Sequence, residues 1–292
     1  MTEKLPGDIS ITVIGLGAMG MPMAKRLADR GHAVVAVDPN PTARAKAETF
    51  GMSSRETMHD APPSDVVLVT VATGPQLMSV VEAGSASRTV GEELWILCST
   101  VGQSAAQDAA RLLNDKGAKL VDAPMTGGVP GAERGELTFF VAGDSEEIDE
   151  LTTVLGVLGT TRFVGGDVGG GQAMKMVNQL CCSVHLAVAA EAVALAVKLG
   201  LNPEIAVDVV TKGAGASWFL NERGPRMAQL DSVPDVSTRL AILAKDIGLV
   251  KESAVERGAH IPLLEAAEQQ YARAAELGLL ESDDSQLVRS YL

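Results

Sequence analysis

The run Ile9-Ser-Ile-Thr-Val-Ile14 passes directly into Gly15-Leu-Gly17-Ala-Met-Gly20, and a second β-branched run over residues 33–37 ends in Asp38. This order reads as buried strand, glycine turn, helix, second strand and acid, and each part has a physical task. Gly15 permits the tight exit from the strand, Gly17 has no side chain to block an approaching pyrophosphate, and Gly20 lets the helix pack close to the sheet. Leu16, Ala18 and Met19 complete the turn around that ligand. The helix N-terminus offers unpaired N–H groups and the positive end of a dipole to phosphates. Asp38 can accept hydrogen bonds from both hydroxyls of an adenine ribose, and its charge repels a 2′-phosphate. The segment therefore points to a dinucleotide, with NAD favoured over NADP. Glycines in a turn serve any α/β domain; the strand before, the helix after and an acid about 20 residues on narrow the reading.

With 292 residues the chain has room for one large domain or two of ordinary size. Aromatic residues are only 3%, so the 46% hydrophobic content must pack mainly through aliphatic side chains. A net charge of −13 argues against nucleic acid as a partner, because phosphate contacts need clustered Lys and Arg. Cys98, Cys181 and Cys182 have neither metal-ligand nor disulfide spacing, and the adjacent pair sits in an apolar run expected to be core. His32, His59, His185 and His260 are scattered without ligand spacing, so no metal is expected. Residues 1–8 show no apolar targeting segment. The longest apolar run, 180–201, is interrupted by His185, Glu191 and Lys198, which makes a membrane span a poor reading. The expected location is cytoplasmic.

After the first unit, strand-like runs at 65–71, 94–98, 118–122, 137–142 and 161–164 alternate with helical patterns, notably 104–116 and 146–155, the latter capped by Asp144 or Ser145. Continuous β-branched strands separated by helices imply a parallel sheet covered on both faces. The pattern changes at the glycine-rich joint 165–171, beyond which helices are expected at 172–199, 203–212, 218–230, 237–257 and 262–277. The expected division is a dinucleotide-binding α/β domain over 1–165 and an all-helical substrate and oligomerisation domain over 166–292, with the cleft between them as the default site. The 172–199 segment is apolar nearly all round, which predicts burial in a core or between subunits. A homodimer or homotetramer is expected from its breadth.

Two segments carry candidate chemistry. Asp122-Ala-Pro-Met-Thr126-Gly127-Gly128 follows a strand, where parallel sheets bind ligands. The Thr126 hydroxyl and the backbone N–H groups of Gly127 and Gly128 suit a carboxylate, although an ordinary turn reads similarly. In Gly171-Gln-Ala-Met-Lys175-Met-Val-Asn178-Gln179, Lys175 and Asn178 share a helix face. Lys175 lies among Met174, Met176 and Val177, so it must find a counter-ion, reach solvent or lower its pKa, and the last outcome makes a proton carrier. A snorkelling surface lysine is the plainer alternative.

These motifs, in this order and over essentially the whole chain, resemble the β-hydroxyacid dehydrogenase family. Thr126 stands where many relatives have Ser, and Gln179 where many have a second Asn. A further family signature matches Lys245-Asp246. The resemblance implies a Rossmann-type N-terminal domain with an all-α C-terminal domain. It implies Lys175 as general acid/base with Asn178 as its partner in holding substrate, and Thr126, Gly127 and Gly128 gripping the substrate carboxylate. It places Lys245 against cofactor and reacting groups, Thr100 at the nicotinamide ribose, and Val71, Ala72 and Thr73 along the adenosine side. The implied reaction is hydride transfer between NAD(P) and a short 3-hydroxy acid or its oxidised partner. The Ser-Trp218-Phe219 stretch looks most like the threonate-dehydrogenase branch, so a polyhydroxylated acid is expected ahead of a simpler hydroxy acid or semialdehyde; either aromatic could wall the pocket or pack in the core. Two other readings keep the fold: an imine reductase, which usually lacks the lysine, and a non-catalytic NAD-binding scaffold.

Overall fold

In the computed structural model, residues 9–87, 93–143 and 145–292 are described; the leader reading of 1–8 and the Asp144 cap lie outside them. Strands β1 (Ser10–Ile14), β2 (Ala33–Val37), β3 (Ser53–Arg55), β4 (Val66–Val69), β5 (Leu94–Leu97) and β6 (Lys119–Asp122) are all parallel, in the order β3-β2-β1-β4-β5-β6. Their connections include helices α1 (Gly20–Asp29), α2 (Pro41–Thr49), α3 (Gly74–Ser87) and α4 (Gln103–Asn114). Successive strand residues face opposite sides. Ile11, Val13, Leu68 and Ile96 enter one apolar cluster, and Ile14, Val67, Trp95 and Leu97 the other. Both faces are thus covered, which is why the strands read as continuous apolar runs.

The sheet is not parallel throughout, contrary to the sequence expectation. Beyond β6, β7 (Met125–Thr126) and α5 (Gly128–Arg134) occupy the connection to β8 (Leu137–Ala142), which pairs antiparallel with both β6 and β7. The short α5 supplies no full crossover helix, so the chain returns in the opposite direction. After α6 (Ser145–Leu158), β9 (Gly159–Gly165) pairs parallel with β8. The two shortest strands, β3 and β7, were not expected, since two or three residues carry no readable alternation.

The remaining helices are α7 (Gly170–Lys198), α8 (Pro203–Val210), α9 (Trp218–Ala228), α10 (Leu240–Arg257) and α11 (Pro262–Glu276), followed by a 3-10 segment, Asp284–Ser290. Asn202 caps α8 through Ile205 N, and Ser217 caps α9 through Leu220 N. α10 starts three residues later than its sequence pattern because Ser237 is tied elsewhere: its N and Oγ both donate to Asp283 Oδ2, at 2.8 and 2.9 Å.

Contacts divide the chain into two compact units after Lys175, inside α7. One face of α7, including Met176, Leu186, Ala190 and Val193, enters the core of the second unit. Its other face is exposed in this chain, with Val177, Val188 and Leu195 all more than half accessible. The expectation of all-round burial therefore fails for the single chain. Cys181 falls on that exposed face and Cys182 is half-buried, so neither is the core thiol the sequence suggested. By length and composition α7 is the one described helix apolar enough to cross a membrane, yet it is the core helix of its unit.

Candidate active site

The glycine turn after β1 is fixed from three sides. Gly15 has φ +89° and donates its N–H to Val37 O at 2.8 Å. Thr70, just past β4, donates its hydroxyl to Ile14 O and Gly15 O, at 3.0 and 2.6 Å. A Cβ on Gly20 would lie 1.8 Å from Gly15 O and 2.4 Å from Thr70 Oγ1. Gly20 is therefore needed for the approach of the helix to the turn itself, a tighter constraint than helix-on-sheet packing. Gly17 and Ala18 are exposed, and a Cβ at Gly17 would meet nothing within 4 Å. α1 has no side-chain cap and no acid in its first turn. An open, uncapped, positively polarised helix start fits a pyrophosphate.

Asp38 ends β2 beside this turn. Its Oδ2 accepts from Leu16 N at 2.7 Å and its Oδ1 from Asn40 N at 2.8 Å. Each carboxylate oxygen has a second lone pair, so both can still accept a ribose hydroxyl. Val71, Ala72 and Thr73 follow β4, and Gln76 Oε1 accepts from Ala72 N and Thr73 N at 2.9 and 3.2 Å, fixing that loop at the start of α3. Thr100 lies past the end of β5. These residues all stand at the carboxyl edge of the parallel strands, where such sheets bind ligands.

Lys175 is 7% exposed and donates to Met125 O at 2.7 Å. That carbonyl immediately precedes Thr126 and the two glycines, Gly127 and Gly128, with φ of +122° and +62°. The first unit thus brings the lysine to the Thr126–Gly128 loop. Gln172 and Asp122 make the connection. Gln172 donates its Nε2 to Ser99 O and Asp122 Oδ1, at 3.0 and 2.8 Å, while its Oε1 accepts from Val101 N and Gly102 N at 3.0 and 3.1 Å. Asp122 Oδ2 accepts from Gly169 N and Gln172 N at 3.0 and 2.8 Å. Burial pushes the Asp122 carboxyl up to about 6, while the amide bonds pull it the other way. Burial, followed by the Asp122 charge, pushes the Cys98 thiol up. Gly171 permits this approach, since a Cβ there would sit 2.5 Å from Phe140 O and 2.9 Å from Asp122 Oδ2. The sequence singled out the motifs containing Asp122 and Gln172 but gave neither residue a part. Polar residue types bracketing the lysine motif were the only signal, and it does not say who bonds to whom.

In the second unit Asp246, 2% exposed, forms an ion pair through Oδ1 with Lys245 Nζ at 2.9 Å and accepts a hydrogen bond on Oδ2 from Gln179 Nε2 at 2.5 Å. Gln179 Oε1 in turn accepts from Asn178 Nδ2 at 2.8 Å. A carboxylate only accepts, so the chain of donors is set from Asp246 outward and turns the Asn178 amide nitrogen toward Gln179. Phe219 is buried in this unit's core, while Trp218 is half exposed, with Phe219 and the Arg223 guanidinium against its ring at 5.0 and 5.4 Å. Among the described residues, no three His, Cys, Asp or Glu side chains converge as a metal site.

Residues 10–166 match the family model described as the NAD binding domain of 6-phosphogluconate dehydrogenase, and residues 169–291 match the one described as NAD-binding of NADP-dependent 3-hydroxyisobutyrate dehydrogenase. The chain belongs to the β-hydroxyacid dehydrogenase family. It is similar to L-threonate dehydrogenase of Cupriavidus necator, 33% identical with 97% of this chain and 96% of that one covered. The solved structure of 3-hydroxyisobutyrate dehydrogenase from Salmonella typhimurium superposes with a TM-score of 0.88, at 29% identity over 97% of this chain and 99% of that one. An imine reductase of Streptomyces aurantiacus, at 23% identity and a TM-score of 0.66 over 96% and 98% of the two chains, shares the fold alone. The chain is therefore an NAD-binding oxidoreductase of the hydroxyacid dehydrogenase type, with a Rossmann-type first unit and a helical second one.

Proposed function

We propose that this dehydrogenase oxidises the hydroxyl of a short, polyhydroxylated 3-hydroxy acid, or reduces the corresponding carbonyl compound, with Lys175 as the proton carrier. The observation that carries the reading is the buried Lys175 Nζ, 2.7 Å from the carbonyl of Met125 and next to the Thr126-Gly127-Gly128 loop. Residues 1–165 hold the dinucleotide in this reading, and 166–292 carry substrate contacts and self-association. Gly15–Gly20 bind the pyrophosphate, Asp38 the adenine ribose, Val71–Thr73 the adenosine side and Thr100 the nicotinamide ribose. When bound, the nicotinamide accepts or returns the hydride.

The chain's own groups do the rest. Thr126 Oγ1 and the N–H groups of Gly127 and Gly128 hold the substrate carboxylate, which fixes the distance from it to the reacting carbon. Neutral Lys175 takes the hydroxyl proton as the C–H bond gives up its hydride, and in reduction the ammonium returns that proton to the carbonyl oxygen. Asn178 holds the substrate near the same helix turn, and Lys245, steadied by Asp246, supplies a cation toward cofactor and substrate. The preference for a polyhydroxylated acid is supported by the likeness to L-threonate dehydrogenases across nearly the whole chain. A C3 to C5 hydroxy-acid panel with NAD and NADP tests it. Turnover confined to cyclic imines would replace this reading with imine reduction, and dinucleotide binding with no turnover of any compound would leave a scaffold.

The exposed apolar face of α7 supports a homodimer or homotetramer, since Val177, Val188 and Leu195 lie along one side of a 29-residue helix. Light scattering at micromolar concentration should show at least two chains, and a strict monomer would refute this. A cytoplasmic location is part of the same proposal.

A further inference from the structure

The end of β2 carries a second fixed charge beside Asp38. Arg44 lies in α2, six residues along the chain, yet its side chain folds back over the strand end. Its Nη1 donates to Asp38 O at 2.8 Å and to Pro39 O at 2.9 Å. That nitrogen has two hydrogens, and both are used. Nε and Nη2 keep three more. Nη2 stands 3.7 Å from Glu56 Oε2, whose side chain is 66% exposed, a surface ion pair of little strength. The guanidinium is thus anchored through one nitrogen, on a side chain that is 19% exposed, and retains its other edge for a ligand. Asp38 is anchored as well, through Leu16 N and Asn40 N. A group that repels phosphate and a group that binds it are held at the same strand end.

We infer that Arg44 is a preset binding group for the 2′-phosphate of NADP, and that the charge of Asp38, rather than any lack of a cation, keeps the site selective for NAD. A guanidinium edge matches phosphate oxygens through two parallel hydrogen bonds, and an arginine near this strand end is what a 2′-phosphate requires. Asp38 opposes that ligand by like charge while accepting the ribose hydroxyl of NAD. Converting the cofactor preference then needs the loss of one charge and no added cation. Arg55 is the alternative cation: its carbonyl accepts Asp38 N at 3.2 Å, while its guanidinium donates to Ser54 O at 2.6 Å. The inference rests on the dinucleotide reading of the Gly15–Gly20 turn.

The test uses the full chain, with NADH and NADPH dissociation constants measured by fluorescence titration. Asp38→Asn keeps one acceptor oxygen and should raise NADPH affinity relative to NADH by roughly 100-fold, a screened like-charge repulsion near the surface. Adding Arg44→Gln should reverse at least about tenfold of that gain, as expected for losing a charge-assisted bond to phosphate. Adding Arg55→Gln instead should leave the ratio within about threefold. In the wild-type background, Arg44→Gln should weaken NADPH about tenfold more than NADH, which keeps the test open if Asp38→Asn does not fold. A ratio indifferent to Arg44, or one abolished by Arg55→Gln, overturns the inference alone. Failure of the wild type to bind either dinucleotide overturns it together with the reading of the turn.

Discussion

Asp122 in the first unit and Asp284 in the second are both nearly inaccessible, and burial pushes both carboxyls up to about 6. They are held in opposite ways. The bonds to Asp122 come from neutral donors: backbone N–H groups at the start of α7 and the Gln172 amide. Asp284 instead faces the Arg223 guanidinium at 2.7 Å, while Asp283 beside it faces Arg226 at 3.0 Å. Directional neutral bonds fix atoms, and at a helix N-terminus they also complement the dipole. A buried ion pair fixes less geometry, yet removing one partner strands the other charge. The first arrangement places Lys175, one helical turn beyond Gln172. The second ties α9 to the C-terminal segment.

Lys175 itself is the strongest probe of the first region. Lys175→Ala should lower kcat by roughly 10²–10⁴ while NADH affinity hardly changes. Lys175→Arg should not rescue, because a guanidinium cannot accept the hydroxyl proton at neutral pH. A folded Lys175→Ala enzyme with near-native turnover in steady-state assays would remove the proposed mechanism.

Arg223→Met probes the second region. It leaves Asp284 buried without its guanidinium, so urea unfolding should show a loss of about 3–5 kcal/mol. A loss below about 1 kcal/mol would mean that the pair is not what holds α9 to the C-terminal segment. Gln172→Leu is the matching change in the first region. It should cost turnover as well as stability: the four buried side-chain bonds of Gln172 are lost, and kcat should fall roughly 10–100-fold if a misplacement near 1 Å reaches Lys175. If Gln172→Leu changed only the unfolding midpoint, the contrast between the two regions would collapse.

The smallest effect expected is on pH dependence. A carboxyl whose folded pKa lies above its unfolded one contributes stability that is full below the unfolded value near 3.8 and is lost as pH rises through about 6. Wild type should therefore gain roughly 1 kcal/mol relative to Asp284→Asn between pH 7 and pH 5. Asp283, lowered to about 2 by its hydrogen bonds against the effect of burial, acts oppositely but only below pH 4. His32, lowered by burial, also acts oppositely, and comparison with the variant cancels it. A gap that stays constant from pH 7 to pH 5 would show that Asp284 does not titrate there.

Much of the architecture is legible in residue order, because periodicity and turn chemistry are local. The β-branched runs gave β1, β2, β4, β5, β6 and β8, and the glycine spacing located the turn that the structure builds around Gly15 and Gly20. The apolar 172–199 segment gave α7 to within two residues at its start and one at its end. The antiparallel return of β8 escaped, since strand direction depends on which partner is reached in space. The exposed side of α7 escaped for a related reason: a helix apolar all round does not say which face its own unit covers.

The candidate site divides along the same line. Residue types and spacing alone singled out Gly15–Gly20, Asp38, Thr126–Gly128 and the Lys175 motif, because each needs a particular chemistry at a particular step along the chain. Gln172 bridging to Ser99 and Asp122, Gln179 reaching Asp246, and Arg44 folding back on Asp38 are hydrogen bonds to partners chosen by the fold. Two of these three join residues 50 or more positions apart, and the third depends on a side-chain torsion that no spacing encodes. Sequence determined which groups are present and which backbone turns they require; only tertiary structure decided which buried donor meets which acceptor, because that pairing is settled by packing across the whole chain.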